Sequence, residues 1–419
     1  MLYYLSQYLG EHYNLVGAGL FEFLSFRAGI SIILSLLISM VFGEKLINFL
    51  QKQQVKETVR KLGLEGEETK QGTPTMGGVV ILGSVLLPVI LFSDLSNIYI
   101  MLMLFVTLSL GAVGFIDDYI KVFLKDKGGL RARSKLIGQF GVGLILGSVL
   151  YFHPDVVIRK DITDTPDAVF YHEIDRSVSF DNRGDTKFSV DYKAPETTIP
   201  FVKQFDFDYG SVLSFMGDNY HKYGWLIYIP MVMFMLTFIS NGANLTDGMD
   251  GLATGISAII VLTLGIFAYV TGNSIFAEYL NIIYLPNTGE LLIFSAALFG
   301  SCIGFLYFNC YPAQVFMGDT GSLALGGIIA SLAIIVRKEL FVPILCGVFM
   351  IENISVMMQV GWFKYTKRKY GEGRRIFKMA PLHHHYQKLG YPEPKIVTRF
   401  WIISVLLAVM AMVMTLKIR

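Results

Sequence analysis

The sequence predicts an all-α polytopic membrane protein with about ten transmembrane helices, and two observations support this fold class. Of the 419 residues, 53% are hydrophobic and only 16% are charged, whereas a soluble domain carries about 25% charged residues. The charged residues also leave long gaps, each roughly the 17–25 residues that cross a bilayer as a helix. These observations exclude a soluble enzyme, a secreted disulfide scaffold and a nucleic-acid-binding protein.

Ten apolar segments are long enough to be spans. The ninth is interrupted by Glu352 and Asn353. Because an unpaired carboxylate in lipid is costly, these side chains are expected to face the bundle or a cavity. Glu352 then has either one interhelical hydrogen bond or a functional role. The predicted spans are residues 24–43, 75–92, 98–116, 135–152, 224–240, 252–271, 290–308, 321–336, 340–362 and 399–416.

Lysine and arginine predict the orientation of the chain. The loops after the odd-numbered spans hold 22 of the 35 cationic residues. By the positive-inside rule these loops are cytoplasmic, and both termini are external. The chain is therefore expected to lie in a membrane with its cation-rich loops on the cytoplasmic side.

One external segment, residues 153–223, is long and polar, with eight Lys or Arg and thirteen Asp or Glu. Loops longer than about 60 residues translocate largely regardless of charge. Alternating residues at 187–192 are typical of short strands, so we expect a small β-rich external insertion that serves as a cap or packing element. The predicted division is therefore 1–152 (helices 1–4), 153–223 (insertion) and 224–419 (helices 5–10).

Five acidic residues cluster at the predicted cytoplasmic ends of the spans. Carboxylates held close together repel one another unless a cation joins them, and Mg²⁺ suits a few carboxylates plus a phosphate substrate. No Cys/His group has the spacing of a zinc site. The five residues are Asp117, Asp118, Asp247, Asp250 and Asp319.

Two polar, glycine-rich loops precede apolar helices, at residues 241–251 and 309–322. Their glycines allow a ligand to approach the backbone, and helix N-termini attract anions. Asp319 could ligate a metal and Asn309 could bond a ligand. Phe316 could stack on a base or belong to the core.

Two further stretches have both a functional and an ordinary reading. Residues 70–78 (K-Q-G-T-P-T-M-G-G) form a cationic, flexible entry to the second span. This segment could bind a diphosphate, or its lysine could simply follow the positive-inside rule beside a turn. His383, His384 and His385 could contact phosphate or sugar, or form a solvated loop cluster. No G-x-x-x-x-G-K-[ST] loop occurs in the sequence, so nothing suggests ATP hydrolysis.

Taken together, these stretches resemble the MraY family of phospho-N-acetylmuramoyl-pentapeptide transferases, within the polyprenyl-phosphate N-acetylhexosamine-1-phosphate transferases. The matching segments run in family order across nearly the whole chain outside 153–223. The insertion is longer than the family pattern, and Met249 stands where leucine is usual. The segments are 70–78, 117–119 (D-D-Y), 244–251 (N-L-T-D-G-M-D-G), 309–322 and 381–386 (P-L-H-H-H-Y).

The resemblance implies a reaction and a set of roles. Undecaprenyl phosphate attacks UDP-MurNAc-pentapeptide, UMP leaves, and lipid I remains in the membrane. Asp319 would hold Mg²⁺, Asp117 would act on the lipid phosphate, Asp118 would support the site, and His383, His384 and His385 would contact substrate. Positions around the nucleotide match Lys70, Thr75, Asn244, Asp247, Gly248, Met249, Asp250, Asn309 and Phe316, with Phe316 on the uracil.

Several alternatives stay open at this point. A sister enzyme that uses another UDP-sugar shares the acids and the metal, whereas a transporter would place its ionisable groups near the bilayer midplane. Asp117 either positions the nucleophile or forms a covalent intermediate. The resemblance also implies a homodimer in the bacterial inner membrane, with the active site facing the cytoplasm.

Overall fold

The computed structural model describes residues 1–13, 17–52, 72–126, 128–163, 172–180, 186–199, 206–217 and 220–415. It confirms a mostly helical, multi-pass architecture. Eight described helices are long and apolar enough to cross a membrane, a bent pair at 339–370 makes a ninth span, and Gly78–Phe92 is a shorter apolar helix. The helices are α1 (Leu2–Tyr13), α2 (Leu24–Lys52), α3 (Gly78–Phe92), α4 (Ile98–Val122), α5 (Ala132–Phe152), α6 (Trp225–Thr246), α7 (Leu252–Thr271), α8 (Ser274–Leu280), α9 (Leu291–Asn309), α10 (Gly318–Ile335), α11 (Val342–Leu345), α12 (Gly347–Tyr370), α13 (Leu382–Gln387) and α14 (Glu393–Thr415).

Helix α10 lies at the centre of the bundle, and nearly all of its residues are buried. It packs against α4 and α6, while α9 packs against α2 and α7. Small residues allow this close packing: a Cβ atom at Gly78 would collide with the backbone of Gly321, and one at Gly114 would collide with the main chain of Asp319. The start of α10 is therefore pressed between α3 and α4.

The described strands all lie between α5 and α6, as the predicted β-rich insertion requires. β1 (Ile158–Asp161), β2 (Glu173–Phe180) and β3 (Thr186–Tyr192) form an antiparallel sheet in the order β1-β3-β2, and β4 (Glu196–Thr198) pairs with β5 (Asp206–Asp208). The guanidinium of Arg159 holds the carboxylate of Asp191 on the neighbouring strand, at 2.6 and 2.7 Å.

Buried polar contacts join these strands to one end of the helical bundle, which we call the strand face. Thr197 Oγ1 donates to the carbonyl of Arg337 at 3.2 Å, and Lys338 Nζ donates to Thr198 Oγ1 at 3.0 Å. The Arg337 side chain donates to the hydroxyl of Tyr228 at 3.0 Å. The second sheet is thus packed on the ends of α6 and α10.

The bend between α11 and α12 measures 78°. It directs α12 along α6, where Gly242 lets the two helices approach so closely that a Cβ atom there would sit 2.9 Å from the carbonyl oxygen of Phe349. Glu352 and Asn353, one turn further along α12, are both buried. The packing of α12 on α6 therefore turns these polar side chains into the protein, as their sequence position predicts.

Candidate active site

Three aspartates meet at the end of the bundle opposite the strand face, which we call the aspartate face. Asp117 and Asp118 stand in the last turns of α4, and Asp319 stands in the first turn of α10. Each offers a carboxylate oxygen, and these oxygens lie within 4.8 Å of one another. The sequence separates Asp118 from Asp319 by about two hundred positions, and the α4–α10 contact brings them together.

Asp118 fixes the start of α10. Its carboxylate accepts the main-chain N–H of Asp319 at 3.1 Å, and the N–H and hydroxyl of Thr320 at 2.8 and 2.6 Å. A Cβ atom at Gly318 would lie 2.6 Å from Asp118 Oδ2, and the φ of Gly318 is 74°. Glycine is required there because the backbone is left-handed and the carboxylate lies directly against it.

Two lysines join Asp117 to Asp319. Lys121 Nζ lies 2.6 Å from Asp117 Oδ2 and 3.1 Å from Asp319 Oδ2. Lys135 Nζ lies 3.0 Å from Asp117 Oδ1 and 2.5 Å from Asp319 Oδ2. The two ammonium groups offset the repulsion between the carboxylates. The main-chain N–H of Leu130 adds a bond to Asp117 Oδ1 at 2.6 Å.

The donor set of this cluster fits a divalent metal. Carboxylate oxygens are the ligands that hard divalent cations prefer, and Asp117 and Asp319 already share two cationic partners. Asp118 differs, because both of its oxygens accept hydrogen bonds from the start of α10. Asp117 and Asp319 could therefore hold a metal with fewer competing contacts than Asp118, whose oxygens bond the start of α10.

Asn244 extends the cluster from the end of α6. Its Nδ2 donates to Asp319 Oδ1 at 2.8 Å and to Ser322 Oγ at 2.9 Å. The chain then turns through residues 247–251 into α7. In this 247–251 turn, Met249 is buried, and Asp250 Oδ2 accepts the main-chain N–H of Ala313 at 2.9 Å. The turn is thereby tied to the loop between α9 and α10.

That loop is shaped by Asn309 and Phe316. Asn309 accepts the Thr254 hydroxyl at 2.9 Å and donates to the carbonyl of Val315 at 2.9 Å, so its amide bonds within the protein. The backbone of Phe316 pairs with Pro74 and Gly77 at 2.8 and 2.9 Å, and its ring is half-buried.

Thr75, on the same 72–78 segment, is buried, and its hydroxyl lies near Gly318. Lys70 lies outside the described residues. The described part of the predicted 70–78 motif therefore runs beside the start of α10.

The three histidines lie on α13. His383 is buried, and its Nδ1 lies 3.1 Å from Glu352 Oε2. His384 Nδ1 lies 3.1 Å from Gln387 Oε1, and His385 Nδ1 accepts the main-chain N–H of Lys378 at 3.1 Å. The group is therefore an ordered element and not a solvated loop cluster.

Gly248 connects the histidines to the aspartates. A Cβ atom at Gly248 would collide with His383 Nε2 and would lie 3.3 Å from His384 Nε2. Four residues earlier, Asn244 contacts Asp319. Asp247, the residue that follows the end of α6, lies between these two positions. One short stretch of chain thus touches both groups of predicted site residues.

Sequence reasoning missed Lys135 and left Glu352 open as a site residue. Lys135 was one of several cations that the positive-inside rule explained, and only the α4–α5–α10 packing shows that it reaches two aspartates. For Glu352 the signal was present, because a carboxylate inside an apolar span needs a partner. The identity of that partner is a tertiary contact that the sequence does not display.

Comparison with known proteins identifies both motifs and full-length relatives. Residues 196–337 match the model of glycosyl transferase family 4, and residues 70–82 match signature 1 of phospho-N-acetylmuramoyl-pentapeptide-transferases. The chain is 56% identical to the phospho-N-acetylmuramoyl-pentapeptide-transferase of Flavobacterium psychrophilum, 55% identical to that of Flavobacterium johnsoniae and 52% identical to that of Parabacteroides distasonis. Each comparison covers all of both chains.

Proposed function

This chain belongs to the phospho-N-acetylmuramoyl-pentapeptide transferase family, and on that premise we propose that its reaction takes place at the Asp117–Asp118–Asp319 cluster and depends on Mg²⁺. The enzyme transfers phospho-MurNAc-pentapeptide from UDP-MurNAc-pentapeptide to undecaprenyl phosphate, giving lipid I and UMP in peptidoglycan synthesis. The observation that supports this site is the meeting of three carboxylates and two lysines at the ends of apolar helices. There a membrane-bound phosphate and a water-soluble nucleotide can reach the same point.

Asp319 and Asp117 are the proposed metal ligands, with Asp118 holding Asp319 in place. When bound, Mg²⁺ would neutralise charge on the diphosphate oxygens. Lys121 and Lys135 already contact both carboxylates and can turn toward incoming phosphate groups, because an ammonium group has three donors on a flexible stem.

Asp117 is proposed to position the attacking phosphate. The second pKa of a phosphate monoester is near 6, so the lipid phosphate is mostly dianionic at neutral pH and needs no strong base. Asp117 is also engaged by Lys121, Lys135 and the Leu130 N–H, which suits an anchor better than a nucleophile. The reaction exchanges one phosphoanhydride for another, which agrees with the absence of an ATP-type phosphate loop from the sequence.

The nucleotide is proposed to lie along the 72–78 segment, the 247–251 turn and the loop before α10. Phe316 has a half-buried ring that can stack on uracil. His383, His384 and His385 are proposed to contact the phosphate or sugar of the donor. The remaining proposed contacts are Lys70, Thr75, Asn244, Asp247, Gly248, Met249, Asp250 and Asn309.

The proposed placement follows the distribution of charge. The loops after the odd-numbered spans contain most of the lysines and arginines of the sequence, so we assign the aspartate face to the cytoplasm and the strand face to the outside of the bacterial inner membrane. Both termini and the 153–223 insertion are then external. A homodimer is proposed from the family resemblance alone.

The deciding experiment measures UMP release by purified protein in detergent. We expect release from UDP-MurNAc-pentapeptide only with both undecaprenyl phosphate and Mg²⁺, and none from Asp319→Asn. Asp191→Asn, an aspartate in an ion pair on the strand face, is the matched control and should keep wild-type activity. Release from UDP-GlcNAc instead would assign the protein to a sister enzyme, and Mg²⁺-independent release would refute the metal proposal.

A further inference from the structure

A buried carboxylate on α12 and a buried imidazole on α13 form a pair beside the proposed donor site. Glu352 Oε2 lies 3.1 Å from His383 Nδ1, and Oε1 accepts the main-chain N–H of His383 at 3.2 Å. Both side chains are completely buried. The carboxylate therefore holds the backbone and the ring of His383 at the same time.

The pairing determines which ring nitrogen faces the site. Glu352 already accepts the main-chain N–H of His383, and the same carboxylate acts as acceptor toward the ring when the hydrogen of His383 lies on Nδ1. Nε2 points away from Glu352 and lies against Gly248. It is buried and has no hydrogen-bond partner among the residues that the structure describes. A buried polar atom without a partner is destabilising, and a substrate atom at the 247–251 turn would supply that partner.

Gly248 leaves room for this arrangement. Any side chain at position 248 would collide with the imidazole of His383. The same stretch of chain reaches Asp319 through Asn244. Nε2 of His383 is therefore held beside the same segment of chain that contacts Asp319.

We propose that Glu352 is a positioning residue for the transfer reaction: it orients His383 so that Nε2 meets the donor substrate at the 247–251 turn. This inference rests on the proposed contact between the histidines and the donor. Glu352 itself touches no substrate, and its effect on the reaction passes through His383.

Double-mutant kinetics test the pair. Wild type, Glu352→Gln, His383→Asn and the double variant are compared by UMP release over a range of UDP-MurNAc-pentapeptide, with saturating undecaprenyl phosphate and Mg²⁺. The glutamine keeps the shape of Glu352 but can donate to Nδ1, which permits the other tautomer. We expect kcat to fall about 10–100-fold, as for carboxylates that orient metal-bound histidines, while KM for the donor changes far less.

The double variant separates positioning from general stability. Residues that act as a unit lose activity non-additively, so Glu352→Gln should cause no further loss in the His383→Asn background. Asn353→Ala is the matched control: Asn353 is the next residue on α12, and it donates to the carbonyl of Phe238 at 3.2 Å, away from His383. Its kcat should stay at the wild-type value even if its melting temperature falls.

Each other outcome has a definite meaning. A Glu352→Gln enzyme with wild-type kcat, or losses that multiply in the double variant, overturns the positioning role. If Glu352→Gln does not fold, Glu352→Asp takes its place in the cycle and must again add no loss to His383→Asn. A His383→Asn enzyme with wild-type kinetics refutes the proposed histidine contact itself, and the inference fails with it. If the wild type is active and Glu352→Gln has the same kcat, the positioning inference is refuted and the proposed function stands.

Discussion

Asp118 caps the helix on which Asp319 stands, its two carboxylate oxygens accepting the main-chain N–H groups of Asp319 and Thr320 at 3.1 and 2.8 Å. A helix N-terminus has partial positive charge and unsatisfied N–H groups, so a buried carboxylate there is stabilised. The same contact sets the position of the proposed metal ligand. The stability of the helix start and the position of the proposed metal ligand therefore both depend on one side chain.

We expect Asp118→Ala to lower the free energy of unfolding by about 0.5–2 kcal/mol, the usual value of a cap, and also to abolish most UMP release. Asn97→Ala is the control, because Asn97 caps α4 by accepting the N–H groups of Tyr99 and Ile100 at 2.9 and 3.4 Å on the strand face. It should lose similar stability and keep its activity. Thermal unfolding and UMP release measure the two effects, and equal loss of activity in both variants would contradict the prediction.

Mg²⁺ binding should raise the thermal stability of the protein even when no substrate is turned over. A ligand at a hundredfold excess over its dissociation constant stabilises the folded state by about 2.7 kcal/mol. Mg²⁺ should therefore raise the melting temperature of the wild type in the absence of substrates, and it should not do so for Asp319→Asn. An equal shift in both proteins would place the metal elsewhere.

Lys135 should affect the metal and the phosphate in opposite directions. Removing its ammonium leaves Asp117 and Asp319 less neutralised, so Lys135→Ala should bind Mg²⁺ more tightly. The same variant should have a lower kcat, because one cation near the reacting phosphates is lost. A magnesium titration of UMP release measures both quantities, with the exposed Lys125→Ala as the control. Weaker Mg²⁺ binding in Lys135→Ala would argue against the proposed arrangement.

Isotope exchange distinguishes the two possible roles of Asp117. If Asp117 positions the lipid phosphate, labelled UMP should enter UDP-MurNAc-pentapeptide only when undecaprenyl phosphate or lipid I is present. A covalent intermediate on Asp117 would allow exchange with neither lipid present. The measurement compares exchange by the wild type with and without lipid, and Asp117→Asn serves as the blank.

The sequence predicts the spans of this protein well because each span is a local property. A run of apolar residues has the same length whether or not the rest of the chain is folded, and the helices at 98–122 and 252–271 contain the predicted segments. The strand at Thr186–Tyr192 was likewise visible as a local alternation. The bend before Gly347 was not predicted, because it depends on how α12 packs against α6.

The sequence predicts that the aspartates of the candidate site are unusual residues, but it does not predict the contacts that join them. Asp117, Asp118 and Asp319 could be chosen because acids at the ends of apolar spans are unusual. That Asp118 caps α10, and that Glu352 pairs with His383, are contacts over 201 and 31 positions. Neither contact leaves a pattern in the neighbouring residues, so both become visible only when the helices are assembled.

The long separation between Asp118 and α10 has a consequence for how the protein is made. A membrane protein is inserted as the ribosome delivers it, and α4 enters the bilayer long before residues 318–320 have been synthesised. Until then the carboxylate of Asp118 lacks its three donors from the start of α10. The nascent chain therefore lacks the proposed active site until residues 318–320 have been synthesised, and a chain truncated before Gly318 would lie in the membrane without that site.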